Sequence, residues 1–260
     1  MHKAASSAWM WLFTLLERGS PPTPGKPTYS VQHRMSPRTL AEWRVAASYS
    51  SVLLVRHPLE RLVSAYRDRV AALRAPLSLY KKVALLLHLH RVDARLRVRV
   101  RPRRGKTGPV ITSRAVAVPS WPEFVQFLLL TPPAEYDRHW ALYSRQCSPC
   151  LANFTYVVEL EREGEEEAVL RLTGLSQLAA ARPRHATPGG PSGPLVQQFL
   201  GLLSCKQLAG LADRYWPDLT LFQYSMAEML SWGNNGTGCA VSSLNTNSEP
   251  VVKMTRAGDE

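Results

Sequence analysis

The chain has 260 residues, 45% of them hydrophobic, a formal net charge of +12 and four cysteines. That hydrophobic share excludes a disordered or collagen-like chain, and so few cysteines exclude a disulfide-dense scaffold. The length suits one α/β domain with a good core, and the basic balance either aids solubility or points to an anionic partner: nucleic acid, acidic lipid, polyanionic sugar or nucleotide.

Ala4–Leu16 is apolar but only 13 residues long, against about 20 needed to span a bilayer. His2 and Lys3 precede it and Glu17-Arg18 follow, so one reading is the core of a signal peptide. The Pro/Gly/Thr segment Pro21–Pro27 ends the first helix near Arg18 or Gly19. Ser36-Pro37 reads as the capped start of a second helix. Val52–Val55 is a short β-favouring run of the kind found in a strand covered on both faces. Pro58 stops that strand and suits the first turn of a helix. Leu59, Leu62, Val63 and Tyr66 then recur at helical spacing, which predicts a helix over 60–74. Arg56, Arg61 and Ser64 fall near the carboxyl end of the strand and the amino end of the helix. An open α/β sheet binds ligands there, and the helix dipole and unpaired N–H groups favour an anion such as phosphate.

A further helix is expected over 77–90. Arg91–Lys106 then holds eight Lys or Arg and one Asp, with Leu96–Arg101 alternating apolar and basic as in a half-exposed strand. Such a run is commonly a solvated surface; contact with a sulfated or carboxylated glycan is the functional reading. Nucleic acid is disfavoured, because no aromatic stacking platform accompanies the run. Ser120 caps an amphipathic helix that opens Trp-Pro-Glu-Phe. Cys147, Cys150, Cys205 and Cys239 allow three pairings, and the sequence does not choose among them. A single Cys-x-x-Cys is weak evidence for zinc, no metal is expected, and structural disulfides in an oxidising lumen are favoured. Asn153-Phe-Thr155 and Asn235-Gly-Thr237 are glycosylation sequons. Pro188–Pro194 reads as a loop near the acceptor, and the tail from Gly233 as a flexible end.

The stretch Val55-Arg-His-Pro-Leu-Glu-Arg-Leu-Val-Ser-Ala-Tyr-Arg67 closely resembles the 3′-phosphate motif of the Golgi carbohydrate sulfotransferases of the HNK-1 and chondroitin/dermatan 4-O family. Only Leu59 departs from that family's Phe across the 13 residues. A second block supports the resemblance: His139, Trp140, Cys147, Pro149, Cys150 and Glu161 follow the family's His-Trp, Cys-x-Pro-Cys and strand-ending Glu. Tyr215-Trp-Pro-Asp-Leu-Thr-Leu-Phe-Gln-Tyr-Ser225 is similar to a third family pattern. The opening His2-Lys3-Ala4-Ala5-Ser6-Ser7-Ala8-Trp9 is similar to the family's 5′-phosphosulfate loop, with His2 in place of Pro and Met10-Trp11 in place of Lys-Arg.

The resemblance implies a P-loop-like, three-layer α/β fold with a central parallel sheet, in a sulfotransferase domain over 1–232 and a tail over 233–260. It implies transfer of a sulfuryl group from 3′-phosphoadenosine 5′-phosphosulfate to a hydroxyl of a glycan, without a metal. Donor contacts would come from His2, Lys3, Ala4, Ala5, Ser6, Ser7 and Ala8, and from Arg56, His57, Pro58, Leu59, Glu60, Arg61, Leu62, Val63 and Ser64. Lys3 would neutralise the leaving phosphate and His33 would be the base. His57 and His139 are as readily explained by structural hydrogen bonds. The expected partner is an anionic glycan acceptor, with no nucleic acid and with membrane contact only through an anchor outside this chain. The expected location is the Golgi lumen, as a type II membrane protein in full-length form. A strand should precede Lys3 in this family, so the resemblance also implies a truncated chain. The alternative is a catalytically degenerate relative that binds anionic glycans without turnover. A kinase is disfavoured because Gly-x-x-x-x-Gly-Lys-(Ser/Thr) does not occur.

Overall fold

The computed structural model describes residues 6–19, 50–90, 97–105, 108–147, 149, 154–180 and 192–239. In chain order its elements are α1 (Ser6–Arg18), β1 (Val52–Val55), α2 (Pro58–Ala65) running into a π-helical turn (Tyr66–Ala71), α3 (Leu77–Leu89), β2 (Arg97–Gly105), β3 (Gly108–Val118) and α4 (Trp121–Leu130). A 3-10 turn (Pro133–Glu135), α5 (Tyr143–Gln146), β4 (Tyr156–Glu159), α6 (Glu165–Leu172), α7 (Ser176–Ala180), α8 (Ser192–Gly201), α9 (Cys205–Leu221) and α10 (Ala227–Ser231) complete them. They fall into two compact units. The expected helix at Ser36 and residues 188–191 of the expected loop lie outside the described residues, and the last three residues of that loop, Ser192–Pro194, open α8 instead.

The first unit takes in the described residues up to His57 and those from Tyr143 to Ala180. Its centre is a parallel pair, β1 on β4, with Val52 opposite Tyr156 and Val55 opposite Glu159. Leu53, Leu54 and Val55 are all buried, as the unbroken apolar run requires. The ladder extends one step further, with Leu160 N–H donating to the Val55 carbonyl at 3.1 Å. α1 stops where the Pro/Gly segment predicts: Gly19 takes φ +66° and its N–H returns to the Leu15 carbonyl at 2.8 Å. Trp9 and Leu12 of α1 are buried, and the Trp9 indole N–H donates to Glu166 Oε1 of α6 at 2.7 Å.

The second unit takes in Pro58 to Leu142 and the described residues from Ser192 onward. Its core joins Leu59, Leu62 and Val63 of α2 to Val83 and Leu87 of α3, Phe124 and Leu128 of α4, and Leu208, Leu211 and Tyr215 of α9. Aromatic rings tie the centre, with Tyr66 edge-on to Trp121 at 5.3 Å and Phe124 edge-on to Trp140 at 5.3 Å. The helix expected over 60–74 changes character at Tyr66. Ala72 N–H reaches back five residues to the Arg67 carbonyl, and Arg74 N–H reaches the Arg69 carbonyl. The Tyr80 hydroxyl adds a further donor at this turn, 3.2 Å from the Arg69 carbonyl and 2.9 Å from the Val70 carbonyl, both of which also accept backbone N–H groups. Ser120 and Glu123 form the capping box expected for α4.

One expectation changes. Residues 233–239 are not a loose end. Asn234 and Asn235 N–H donate to the Leu203 and Gly201 carbonyls at 2.9 and 2.8 Å, and Cys239 is disulfide-bonded to Cys205. The same bridge selects one cysteine pairing that the sequence left open; Cys150 lies outside the described residues. No helix among the described residues is long and apolar enough to cross a membrane.

Candidate functional site

β1 delivers the chain to Arg56 and His57 at its carboxyl end, and the parallel partner β4 delivers Glu161 to the same end. Adjacent parallel strands leave their loops together, so residues 104 positions apart in sequence meet there. Glu161 Oε1 accepts the His57 backbone N–H at 2.7 Å and lies 3.9 Å from Arg56 Nε. The Arg56 backbone N–H donates to the Tyr143 hydroxyl at 3.1 Å, and Tyr143 is fully buried. Two consecutive backbone donors of the turn are thereby satisfied by side chains from outside it. A loop that would otherwise sample many conformations is held in one. Arg56 remains part-exposed with its side chain at 18%, so its guanidinium is held at the surface of this turn.

The other expected donor residues divide sharply. Pro58, Leu59, Glu60, Arg61, Leu62, Val63 and Ser64 all lie on α2 in the second unit. Leu59, Leu62 and Val63 are core residues, so only their backbone remains for a ligand. Ser64 is buried at 4% exposure. Arg61 is 1% exposed, and its Nη1 and Nη2 donate to the Ala141 and Arg138 carbonyls at 2.7 and 3.2 Å. Those bonds are the ones a buried cation needs to avoid a large desolvation cost, and they are made to the backbone. Ser6, Ser7 and Ala8 open α1. His2, Lys3, Ala4, Ala5 and His33 lie outside the described residues.

The 138–141 segment that Arg61 holds is pinned from other sides too. Tyr215 Oη donates to the Trp140 carbonyl at 2.6 Å, and burial raises this phenol well above its ordinary pKa. Tyr136 Oη donates to the Leu128 carbonyl at 2.8 Å; burial, opposed by Arg214, pushes it up to about 12. The His139 ring and backbone both bond Asp137 Oδ1. Burial alone would raise the Asp137 carboxyl, but these bonds and the charges of His139 and Arg69 outweigh it and hold the pKa below the ordinary value. His139 is thus tied to a structural partner, one of the two readings its sequence left open. A cleft of about 220 Å³ beside α3 is lined by Arg69, Ser78, Lys82 and Asp137 over Pro76 and Trp140. Two of its charges are already matched, with Lys82 Nζ 2.7 Å from Glu135 and Asp137 bonded to His139.

Sequence reasoning gave Tyr143 no part, because nothing in Leu142-Tyr-Ser marks a tyrosine whose hydroxyl crosses to another loop. Glu161 was aligned only as a strand-ending Glu; its acceptor role depends on the β1–β4 register.

Residues 1–225 match the sulfotransferase family. Mouse carbohydrate sulfotransferase 8 is 33% identical over 187 residues, covering 69% of this chain and 40% of that protein. Human carbohydrate sulfotransferase 14 is 32% identical over 179 residues, covering 68% of this chain and 43% of that protein. The human form of carbohydrate sulfotransferase 8 is 30% identical over 187 residues, again covering 69% of the chain and 40% of the relative. The chain therefore spans less than half the length of these relatives. No solved structure matches it. With the Arg-His-Pro turn anchored at the ends of two parallel strands and the match running through all three motif blocks, the chain belongs to the sulfotransferase family.

Proposed function

We propose that this chain is the transferase portion of a carbohydrate O-sulfotransferase that uses 3′-phosphoadenosine 5′-phosphosulfate as donor and a glycan hydroxyl as acceptor. The observation that carries the reading is the turn after β1, where Glu161 and Tyr143 fix the backbone of His57 and Arg56. Arg56 and Ser64 take the donor's 3′-phosphate. Lys3, with Ser6, Ser7 and the backbone of His2, Ala4, Ala5 and Ala8, takes the 5′ group. His33 accepts the proton of the acceptor hydroxyl. The acceptor oxygen forms a bond to sulfur, the bond from sulfur to the phosphate oxygen breaks, and the bisphosphate leaves with the electron pair. Such a transfer depends chiefly on alignment and charge stabilisation, which is what a rigid turn and fixed cations supply. Arg61 is assigned to holding residues 138–141 rather than to the phosphate, because it is buried and donates from both Nη atoms to carbonyls of that segment.

The parallel β1–β4 pair supports a three-layer fold with a central parallel sheet. The Cys205–Cys239 bridge and the exposed Asn235 of its sequon support a lumenal location, taken here as the Golgi lumen, with the full-length protein a type II membrane protein. The acceptor is taken as an anionic glycan.

The test is transfer of radiolabelled sulfate from the donor to a panel of chondroitin, dermatan and desulfated glycans. Incorporation is the expected result; retention on a heparin column with no incorporation would replace the enzyme by a binding protein. Saturating 3′-phosphoadenosine 5′-phosphate at 100-fold over its Kd is expected to stabilise the fold by about 2.7 kcal/mol. No shift in Tm would remove the donor site.

A further inference from the structure

We infer that the cleft beside α3 is a subsite for one carboxylate-bearing sugar residue of a glycan. The choice of a glycan rests on the function proposed above. All of the lining belongs to the second unit: Arg69 in the π-helical turn, Pro76, Ser78 and Lys82 at the start of α3, and Asp137 and Trp140 after α4. Its volume of about 220 Å³ falls below the roughly 300–1,000 Å³ of pockets that take drug-sized ligands, which suits a single sugar ring.

The walls are fixed by the fold. The Arg69 carbonyl accepts the Arg74 and Ala75 N–H groups at 2.9 and 2.8 Å and the Tyr80 hydroxyl at 3.2 Å. Arg61 and Tyr215 hold residues 138–141, so Trp140 stands on a pinned segment with Asp137 next to it. Lys82 is paired with Glu135, but much else on these walls lacks a partner. Among the described residues the Arg69 guanidinium makes no hydrogen bond or ion pair, and its charge reaches Asp137 only through space. The Ser78 hydroxyl bonds nothing there either. Asp137 bonds His139 through Oδ1, and no donor among the described residues reaches Oδ2. Trp140 is 3% exposed, yet its indole N–H donates to no group among the described residues. The atom is not sealed in, so the little surface that Trp140 keeps includes it. A nearly buried donor normally has a partner, and a ligand oxygen supplies one. α3 follows Pro76, which gives no side-chain cap, so the leading N–H groups of that helix stay open at the same wall.

This mixture suits a sugar acid better than a bare anion. Sugar hydroxyls donate to Asp137 Oδ2, the carboxylate pairs with Arg69 and the start of α3, and the ring's C–H face covers Pro76. A free sulfate ion has no hydrogen to donate to Asp137 and is repelled by its charge.

The experiment uses the 260-residue chain and three probes: a chondroitin tetrasaccharide, the same tetrasaccharide with its carboxyl groups reduced to alcohols, and inorganic sulfate. Affinity is read by calorimetric titration and tryptophan fluorescence, alongside sulfate transfer to the tetrasaccharide. Arg69→Gln is expected to weaken the tetrasaccharide about tenfold and to leave the carboxyl-reduced form unaffected, since that form already lacks the guanidinium's partner. Trp140→Phe keeps an aromatic ring in the core, and it should weaken both sugars and remove the fluorescence change on binding. Ser78→Tyr places bulk at an exposed position of the wall and should weaken both sugars by about tenfold or more. Lys81→Gln removes an exposed charge from the same helix outside the cleft and should alter neither affinity by more than about twofold. KM for the tetrasaccharide should follow binding in every variant, with kcat little changed. An Arg69→Gln loss equal for both sugars, a Ser78→Tyr variant that binds like the parent, or sulfate ion displacing the tetrasaccharide at equal concentration would overturn the subsite. Should Trp140→Phe not fold, Arg69→Gln and Ser78→Tyr, both outside the core, carry the same comparison. If no acceptor is ever sulfated yet these binding differences hold, the catalytic reading fails and the subsite stands. If sulfate is transferred by Ser78→Tyr at the parent's KM, the subsite fails and the catalytic reading stands.

Discussion

Arg61 separates two ways of using a motif arginine. It is 1% exposed, with charged N–H groups on the Ala141 and Arg138 carbonyls at 2.7 and 3.2 Å. Each hydrogen bond from a charged donor contributes about 1.5–3 kcal/mol. The three buried methylenes add about 0.8 kcal/mol each. Against this stands the desolvation of the cation, which disappears with the side chain and amounts to several kcal/mol. Arg61→Ala, which removes the packing and strands two buried carbonyls, is expected to cost about 3–5 kcal/mol. For a chain of this size that is roughly 10 °C in Tm. Arg61→Met keeps the apolar stem and loses only the polar part, so about 1–3 kcal/mol is expected. The assay is urea unfolding of parent and both variants, with titration of 3′-phosphoadenosine 5′-phosphate under native conditions. The Met variant should lose stability while changing donor-product affinity less than about threefold. A Met variant as stable as the parent that binds the bisphosphate a hundredfold more weakly would show that Arg61 is a phosphate ligand, refuting its assignment to the 138–141 segment.

Glu161→Ala removes the acceptor of the His57 N–H and the carboxylate beside Arg56, so bisphosphate affinity should fall about tenfold or more, read by calorimetric titration, with Glu161→Gln recovering part of it. Cys205→Ser opens a loop of 34 residues and is expected to cost about 4 kcal/mol by the chain-entropy relation; a melting curve with and without reductant should show the same difference for the parent. Asp137 has a folded pKa below its ordinary value, so the stability it contributes is complete above the unfolded carboxylate pKa and is lost as pH falls through the lower folded value. Thermal scans from pH 6 down to pH 3 should therefore decline more steeply for the parent than for Asp137→Asn, and parallel declines would contradict the His139 partnership. A Cβ at Gly233 would stand 2.3 Å from Leu208 Cδ1 and 2.8 Å from Cys239 Sγ, so Gly233→Ala should destabilise by about 1–3 kcal/mol in urea unfolding; a neutral result would mean the 233–239 segment is not packed as described.

Much of the local structure was legible because its causes are local. Gly19 ends α1, Ser120 and Glu123 cap α4, and the apolar run Val52–Val55 is a buried strand, each through neighbours within a few residues. The helix after Pro58 was legible in its start and not in its end. The π-helical turn from Tyr66 also meets the Tyr80 hydroxyl at the Arg69 and Val70 carbonyls, and that partner belongs to α3. The tail from Gly233 read as loose on composition, yet its backbone bonds to Leu203 and Gly201 and its cysteine pairs with Cys205.

By itself the amino-acid order determined that a strand, a proline-stopped turn and a helix carry Arg56, Arg61 and Ser64, since turn chemistry and periodicity are properties of consecutive residues. Tertiary structure alone decided what each charge does. Parallel pairing of β1 with β4 brought Glu161 to His57 and Arg56, and burial of α2 turned Arg61 toward carbonyls of 138–141. A side chain's role follows from the partner and dielectric it meets, and those are fixed only when distant segments pack together.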